Sequence, residues 1–273
     1  MNNQTKNFKK LVFLALLLIV IGIAGTAMVG HGSGGGITTL EEVADVTDVN
    51  HINIRTENQR VRVRSTTEDQ ARVVSSGMPT DATLTVEVLD DVLEVEVRMP
   101  RHNIRIGINF GDFRSLATPP SLDVYLPLEI YNSIRVTTTN SRIDVSDVTA
   151  TEIEARTTNG RIEASHLETE EILLETTNAR VEVRDVVGDV RVRSSNGRID
   201  FHNPTIAQEV NLQTTNGRID VNLTEVPEHA DFSLSTTNSR TRIFGENRTH
   251  QTFGDGTYEV RLQTTNGRIT VED

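Results

Sequence analysis

From Ile134 onward, apolar residues alternate strictly with polar ones on both sides of a short polar turn. Ile153 and Ala155 precede one turn and Ile162 and Ala164 follow it, and Ile172 and Leu174 are answered by Val181 and Val183. The same frame holds for Val136 with Ile143 and Val145, for Val190 and Val192 with Ile199 and Phe201, and for Val210 and Leu212 with Ile219 and Val221. A period of two marks a strand with one buried face, so each unit predicts strand, turn, strand. A third apolar residue (Val148, Leu167, Val186) follows in the return segment, where it would close the inner face at a corner.

The turn itself recurs. A Thr or Ser pair, an Asn, a small residue and an Arg appear seven times, with the Asn at 140, 159, 178, 196, 216, 238 and 266. The steps between them are 19, 19, 18, 20, 22 and 28 residues. So short and regular a period predicts a solenoid in which each coil contacts only its neighbours, and in which one coil alone cannot fold. Asn-Gly is also a strong hairpin signal, so an antiparallel meander is the competing reading. Every copy runs in the same direction with the same residue at the same offset, which favours a parallel stack spaced by roughly 4.8 Å. The fold class expected is therefore all-β, a parallel β-helix (β-solenoid) with coils of about 19–20 residues.

Within the turn, Asn140, Asn159, Asn178, Asn196, Asn216, Asn238 and Asn266 form the expected structural ladder. Ser141, Ala179 and Ser239 stand where other copies have Gly, so positive φ is assigned to the Asn. The first hydroxyl residue of each pair falls on the inward phase, where it would bond to an adjacent coil.

Between Val43 and Pro127 the pattern is still β but aperiodic. Leu84, Val86 and Val88 are answered across Asp90 and Asp91 by Leu93, Val95 and Val97, which reads as a hairpin; Ile104, Ile106 and Ile108 read as a strand, and 111–120 as a loop. Thr56-Glu57-Asn58, followed by Val61 and Val63, resembles an early, degenerate copy of the repeat. At the far end, Thr241, Arg242 and Phe244 break the frame, and an excursion from Gly245 to Gly256 precedes the last copy. Atypical end coils are the expected form of caps.

Residues 11–30 carry no charge, which is long enough for a transmembrane helix, and Lys6, Lys9 and Lys10 precede it. By the positive-inside rule, residues 1–10 are a cytoplasmic tail and the remainder lies outside the cytoplasm of a single-pass membrane protein. The alternative is secretion after signal cleavage near Gly25-Thr26-Ala27. Residues 31–42 read as a linker, 43–133 as an N-terminal β region and cap, and 134–273 as the regular repeats. There is no Cys, and the net charge of −12 excludes a nucleic-acid binder.

The Thr-Thr-Asn-Gly-Arg-Ile-Asp-Val units, the Leu-Asp-Val-Tyr-Leu-Pro segment at 122–127 and the apolar N-terminus together resemble the putative-adhesin domain family of unknown function, found on bacterial and archaeal envelopes, with some members beside envelope-stress operons. The resemblance covers about residues 43–273. It implies an exported β-helical domain and supplies no active-site residues.

Candidate chemistry reduces to charge. Arg142, Arg161, Arg180, Arg198, Arg218, Arg240 and Arg268 should form an outward column. Two residues on, Asp144, Glu163, Glu182, Asp200 and Asp220 should form an acidic one. A charge zipper is one reading; an anion-binding column for a cell-wall polymer is the other. Arg242 and Thr270 interrupt the acids in the last two coils, so anion binding should concentrate there. Catalysis would need clustered carboxylates, a metal or aromatic platforms, but Trp is absent, and the His at 31, 51, 102, 166, 202, 229 and 250 never fall at metal-ligand spacing. The chain is thus expected to be a non-catalytic, adhesin-like scaffold or interaction domain of the cell envelope. It would need no cofactor, with the membrane, an envelope protein or a cell-wall polymer as partner and with self-association open.

Overall fold

The alternation translates directly into strands. A computed structural model describes residues 37–99 and 119–273, which contain twenty strands and no helix. They are β1 (Ile37–Ala44), β2 (His51–Arg55), β3 (Arg60–Thr66), β4 (Ala71–Pro79), β5 (Thr83–Leu89), β6 (Val92–Arg98), β7 (Ser121–Pro127), β8 (Ile130–Thr137), β9 (Ile143–Ser146) and β10 (Thr149–Arg156). There follow β11 (Ile162–Thr176), β12 (Val181–Ser194), β13 (Ile199–Asn203), β14 (Val210–Gln213), β15 (Ile219–Leu223), β16 (Ala230–Thr236), β17 (Thr241–Ile243), β18 (His250–Thr252), β19 (Tyr258–Thr264) and β20 (Ile269–Glu272). The segment 11–30, the strand expected at Ile104–Ile108 and most of the 111–120 loop lie outside the described residues. Among the described residues, no helix is long and apolar enough to cross a membrane. Strand β1 begins within the segment 31–42, and β8 runs across the 133/134 boundary.

Successive coils pair in parallel with like residue over like residue, not as hairpins. Ile153 faces Ile134 and Ile172, and Ile162 faces Ile143 and Val181. The result is a strand-rich, solenoid-like sheet in which strands before the turn form one wall and strands after it the other. The inward rows are fully buried, and Val148, Leu167 and Val186 close them at the corner. Each buried aliphatic side chain contributes about 1.5–3 kcal/mol, but only because a coil above and a coil below cover it.

Spatial order departs from chain order twice. The β2–β3 coil, bearing the degenerate copy, lies between β6/β7 on one side and β8/β9 on the other. The β19–β20 coil is inserted between β14/β15 and β16/β17. The coil of Asn238 is therefore the physical end of the stack, and the coil of Asn266 is internal. This accounts for the broken frame: Thr241 and Phe244 belong to an end coil, whose outer side no regular coil covers.

Both ends are closed by antiparallel strands. At one end β4 pairs with β7 and β1 with β4, while β5 and β6 form the hairpin expected from the sequence, with Asp90 in its turn at φ 56°. At the other, the Gly245–Gly256 excursion folds back so that β18 pairs with β16. Phe232, Phe244 and Phe253 meet there edge to face with ring centroids 5.5–6.2 Å apart, a packing mode that adds to simple burial. The excursion is thus a cap.

Candidate functional site

The repeated turn is a set of hydrogen-bonded columns. Each Asn Nδ2 donates to the Oδ1 of the Asn below at 2.6–2.8 Å, in the spatial order 58, 140, 159, 178, 196, 216, 266, 238. The degenerate Asn58 is the first rung. Beneath the Asn, the inward hydroxyls reach the coil below: Thr176 Oγ1 donates to Gly160 O at 3.1 Å, Thr214 to Gly197 at 3.1 Å and Thr264 to Gly217 at 2.9 Å.

Positive φ does not reside on the Asn. Among the described non-glycine residues it occurs at Asp90, Asp147, His166, Asp185 and Phe244 only. Asp147, His166 and Asp185 occupy the opposite corner, Asp147 just after β9 and His166 and Asp185 at the equivalent positions within β11 and β12. There His166 lies 3.6 Å from Asp147 and 3.6 Å from Asp185. The turn Gly residues answer to a different demand. A Cβ at Gly160, Gly197, Gly217 or Gly267 would lie 1.6–1.8 Å from the carbonyl oxygen of the coil below.

The same geometry restrains the four Asn-Gly pairs. The Gly amides of 160, 197, 217 and 267 donate to the hydroxyls of Thr157, Ser194, Thr214 and Thr264 at 2.8–3.3 Å, and each Asn side chain is held in the ladder. Deamidation requires that amide nitrogen to attack the Asn side-chain carbonyl. Deamidation at Asn159, Asn196, Asn216 and Asn266 should therefore be much slower in the folded protein than in urea, as read by peptide mass spectrometry. Equal rates would mean that the turns are loose.

The outward charges interlock. Arg142 bridges Asp144 and Glu163, Arg161 meets Glu163 at 3.1 Å, and Arg180 and Arg198 converge on Asp200. Arg198 and Arg218 then hold Asp220 at 2.9 and 3.0 Å. Asp200 is completely buried, and Glu182 and Asp220 nearly so. Burial, together with the Arg60 and Arg161 guanidinia to either side, holds Arg142 below the ordinary arginine value against the pull of Asp144. The hydrogen bond to Asp200 raises Arg180. Burial would raise Glu182, but hydrogen bonding to Arg184 and the charges of Arg184 and Arg180 hold it below the usual carboxylate range.

The remaining candidates stand apart. Arg240, Arg242 and Arg268 make no side-chain ion pair or hydrogen bond among the described residues, and all three are exposed. Because the Asn266 coil is inserted, these residues lie in two adjacent coils at one end, Arg242 facing Thr270.

Two features lie outside the expected columns. A second zipper runs along the strands before the turn: Glu154 accepts from Arg135 and Arg156, and Glu175 meets Arg156 at 2.7 Å and Arg193 at 3.5 Å. Its members could have been found by extending the 19-residue register to the outward positions before the Thr pair. Separately, His51 Nδ1 lies 2.7 Å from Ser133 Oγ, with Asp91 3.7 Å from Nε2. These three residues are far apart in sequence and meet only because the β2–β3 coil is displaced in the stack. The backbone amides of Asn132 and Ser133 both donate to Asn50 O, so neither is available to stabilise an oxyanion beside that hydroxyl. Among the described residues, no group of three or more His, Asp or Glu is placed to hold a metal.

Comparison with solved structures finds a putative cell adhesion protein from Clostridium sporogenes, 11% identical, covering 87% of this chain and 99% of its own, with a TM-score of 0.39. A putative adhesin from Bacteroides fragilis is 12% identical, with 88% and 99% coverage and a TM-score of 0.41. Curated proteins yield no match. The Toastrack DUF4097 family model matches residues 122–272, from β7 to the last strand. The chain belongs to the Toastrack DUF4097 family.

Proposed function

We propose that the protein is a non-catalytic, adhesin-like interaction module of the cell envelope, held at the membrane by residues 11–30 with its β domain outside the cytoplasm. The observation that supports this is how the repeat uses its polar side chains. In the internal coils Asn bonds to Asn, Thr to the coil below and Arg to acid, so the motif builds a stiff, stacked body in which the repeated Arg are largely paired with acids. Such a body suits holding a contact surface away from a membrane. The test is retention of the full chain, in detergent, on isolated cell envelopes, alongside assay against a panel of polysaccharides. Retention without turnover is expected. Release of soluble sugars would overturn the non-catalytic reading, and absence of retention would overturn the interaction reading.

A second reading, binding of an anionic polymer, is favoured by one observation. The Arg column is neutralised along most of its length, but in the coils of Arg240, Arg242 and Arg268 the acid-column position is held by Arg242 and Thr270.

A further inference from the structure

The register of the acidic column locates a more specific site, which rests on the interaction reading above. Strand pairing aligns Asp144, Glu163, Glu182, Asp200 and Asp220 in sequence, then Thr270, then Arg242. Asp144, Glu163, Asp200 and Asp220 each pair with the Arg of their own coil and that of a neighbour, and Glu182 pairs with Arg180 and Arg184 of its own coil. At Thr270 the guanidinium of Arg268 meets no carboxylate, and the next coil adds Arg240 and Arg242 in place of an acid. Like charges on neighbouring strands, roughly 4.8 Å apart, repel one another.

The opposite end of the stack shows that the pattern is not a general property of end coils. There Arg62 also interrupts the acid column, yet Asp123 accepts from it at 2.7 Å, and Arg60 reaches Asp144 at 3.3 Å. Among the described residues, only the end carrying Arg242 leaves the cations of the Arg and acid columns without acids.

A cleft of about 220 Å³ opens at this point, between Arg198, Arg218, Arg268, Thr270 and Glu272. The Thr270 hydroxyl on its wall is buried and has no hydrogen-bond partner. Asp220, also on the wall, is held by Arg198 and Arg218, so it does not serve Arg268. Glu272 stands farther along the strand, level with Asn222, and opposes any anion that enters.

We infer that Arg268 and the Thr270 hydroxyl bind an oxyanion, a carboxylate or phosphate group, which completes the acid column at the Thr270 rung, while Arg240 and Arg242 on the next coil add positive charge beside the cleft without lining it. The cleft holds one such head group with a few waters, so the ligand is a single charged substituent, free or carried on a polymer. Guanidinium forks supply paired donors for either kind of anion.

The test is equilibrium dialysis of the full chain against inorganic phosphate and against acetate, with ionic strength held constant by chloride. Binding is expected, and Arg268→Gln should weaken it by about tenfold or more. Thr270→Asp supplies the carboxylate internally and should abolish binding while raising the melting temperature. Arg161→Gln, in the neutralised part of the column, should leave binding unchanged. The site is overturned if Thr270→Asp binds like the parent, or if Arg161→Gln weakens binding as much as Arg268→Gln does. Tighter binding of phosphate points to a phosphate-bearing ligand, and binding of acetate at least as tight points to a carboxylate. Retention on envelopes without anion binding would sink the site and leave the interaction reading standing; anion binding without retention would do the reverse.

Discussion

Gly217→Ala is expected to lower the stability of the β domain by about 3 kcal/mol, seen as a lower urea midpoint with an unchanged slope. The added Cβ would lie 1.8 Å from Gly197 O and 2.5 Å from Gly197 C. No side-chain rotation relieves this, because the obstacle is backbone. That backbone is fixed on both sides: Asn216 N donates to Ser195 O at 2.9 Å, and Ile219 N to Arg268 O at 3.0 Å. Two coils must separate locally, with loss of the Thr214 hydroxyl bond and of the Asn ladder at that level. Gly245→Ala is the control, since Gly245 has φ 81° but nothing within 4 Å of its Cβ. It should cost only the left-handed strain, about 1–2 kcal/mol. Equal midpoints for the two variants would refute the close-approach argument. Ala179 shows how the fold tolerates a methyl group at the equivalent position. The four Gly coils share an amide-to-hydroxyl bond that Ala179 does not make to Thr176 among the described residues, so this turn is set differently.

Asp200→Ala should cost about 3–5 kcal/mol, the range for removing one member of a buried ion-pair cluster. Asp200 is wholly enclosed, accepts a hydrogen bond from Arg180 of the coil below and forms an ion pair with Arg198 at its own level. Its loss leaves two partly buried guanidinia facing each other across one strand spacing, Arg198 retaining only Asp220 and Arg180 only Glu182 at 3.7 Å. Glu259→Ala removes an exposed partner of Arg261 and should change stability by less than about 1 kcal/mol. Denaturant midpoints measure both. A loss at Asp200 no larger than that at Glu259 would show that the zipper is as weak as ordinary surface pairs.

Much of the coil was legible from residues alone. Alternation marked the strands, the 19-residue step marked the stacking, and Thr-Thr-Asn marked the bend, because each follows from local rules that repeat unchanged. The spatial order was not legible. Identical turns can stack in any order, so nothing in Asn266 or Asn238 says which lies outermost; the choice follows from how the three Phe rings and β18 close one end. The conformational assignment failed for a related reason. Tolerance of Ser and Ala in place of Gly points toward φ when a turn is considered alone, whereas the constraint is the distance to a neighbouring coil, a quantity that no single turn encodes. Positive φ fell instead on Asp147, His166 and Asp185, at a corner whose sequence varies from coil to coil. The charge columns were visible as two rows, but the cluster of Arg240, Arg242 and Arg268 acquires its local geometry only from the inserted coil.

That insertion has a mechanical consequence. Strand β19 is bonded on one edge to β14 and on the other to β16, and β20 likewise to β15 and β17. Tension entering through β20 therefore does not peel an outer strand away one bond at a time. It loads two ladders together, along the strand direction, and failure requires a whole coil to slide out from between its neighbours. A body that stands between a surface and whatever it grips would gain from having its last strands locked in this way.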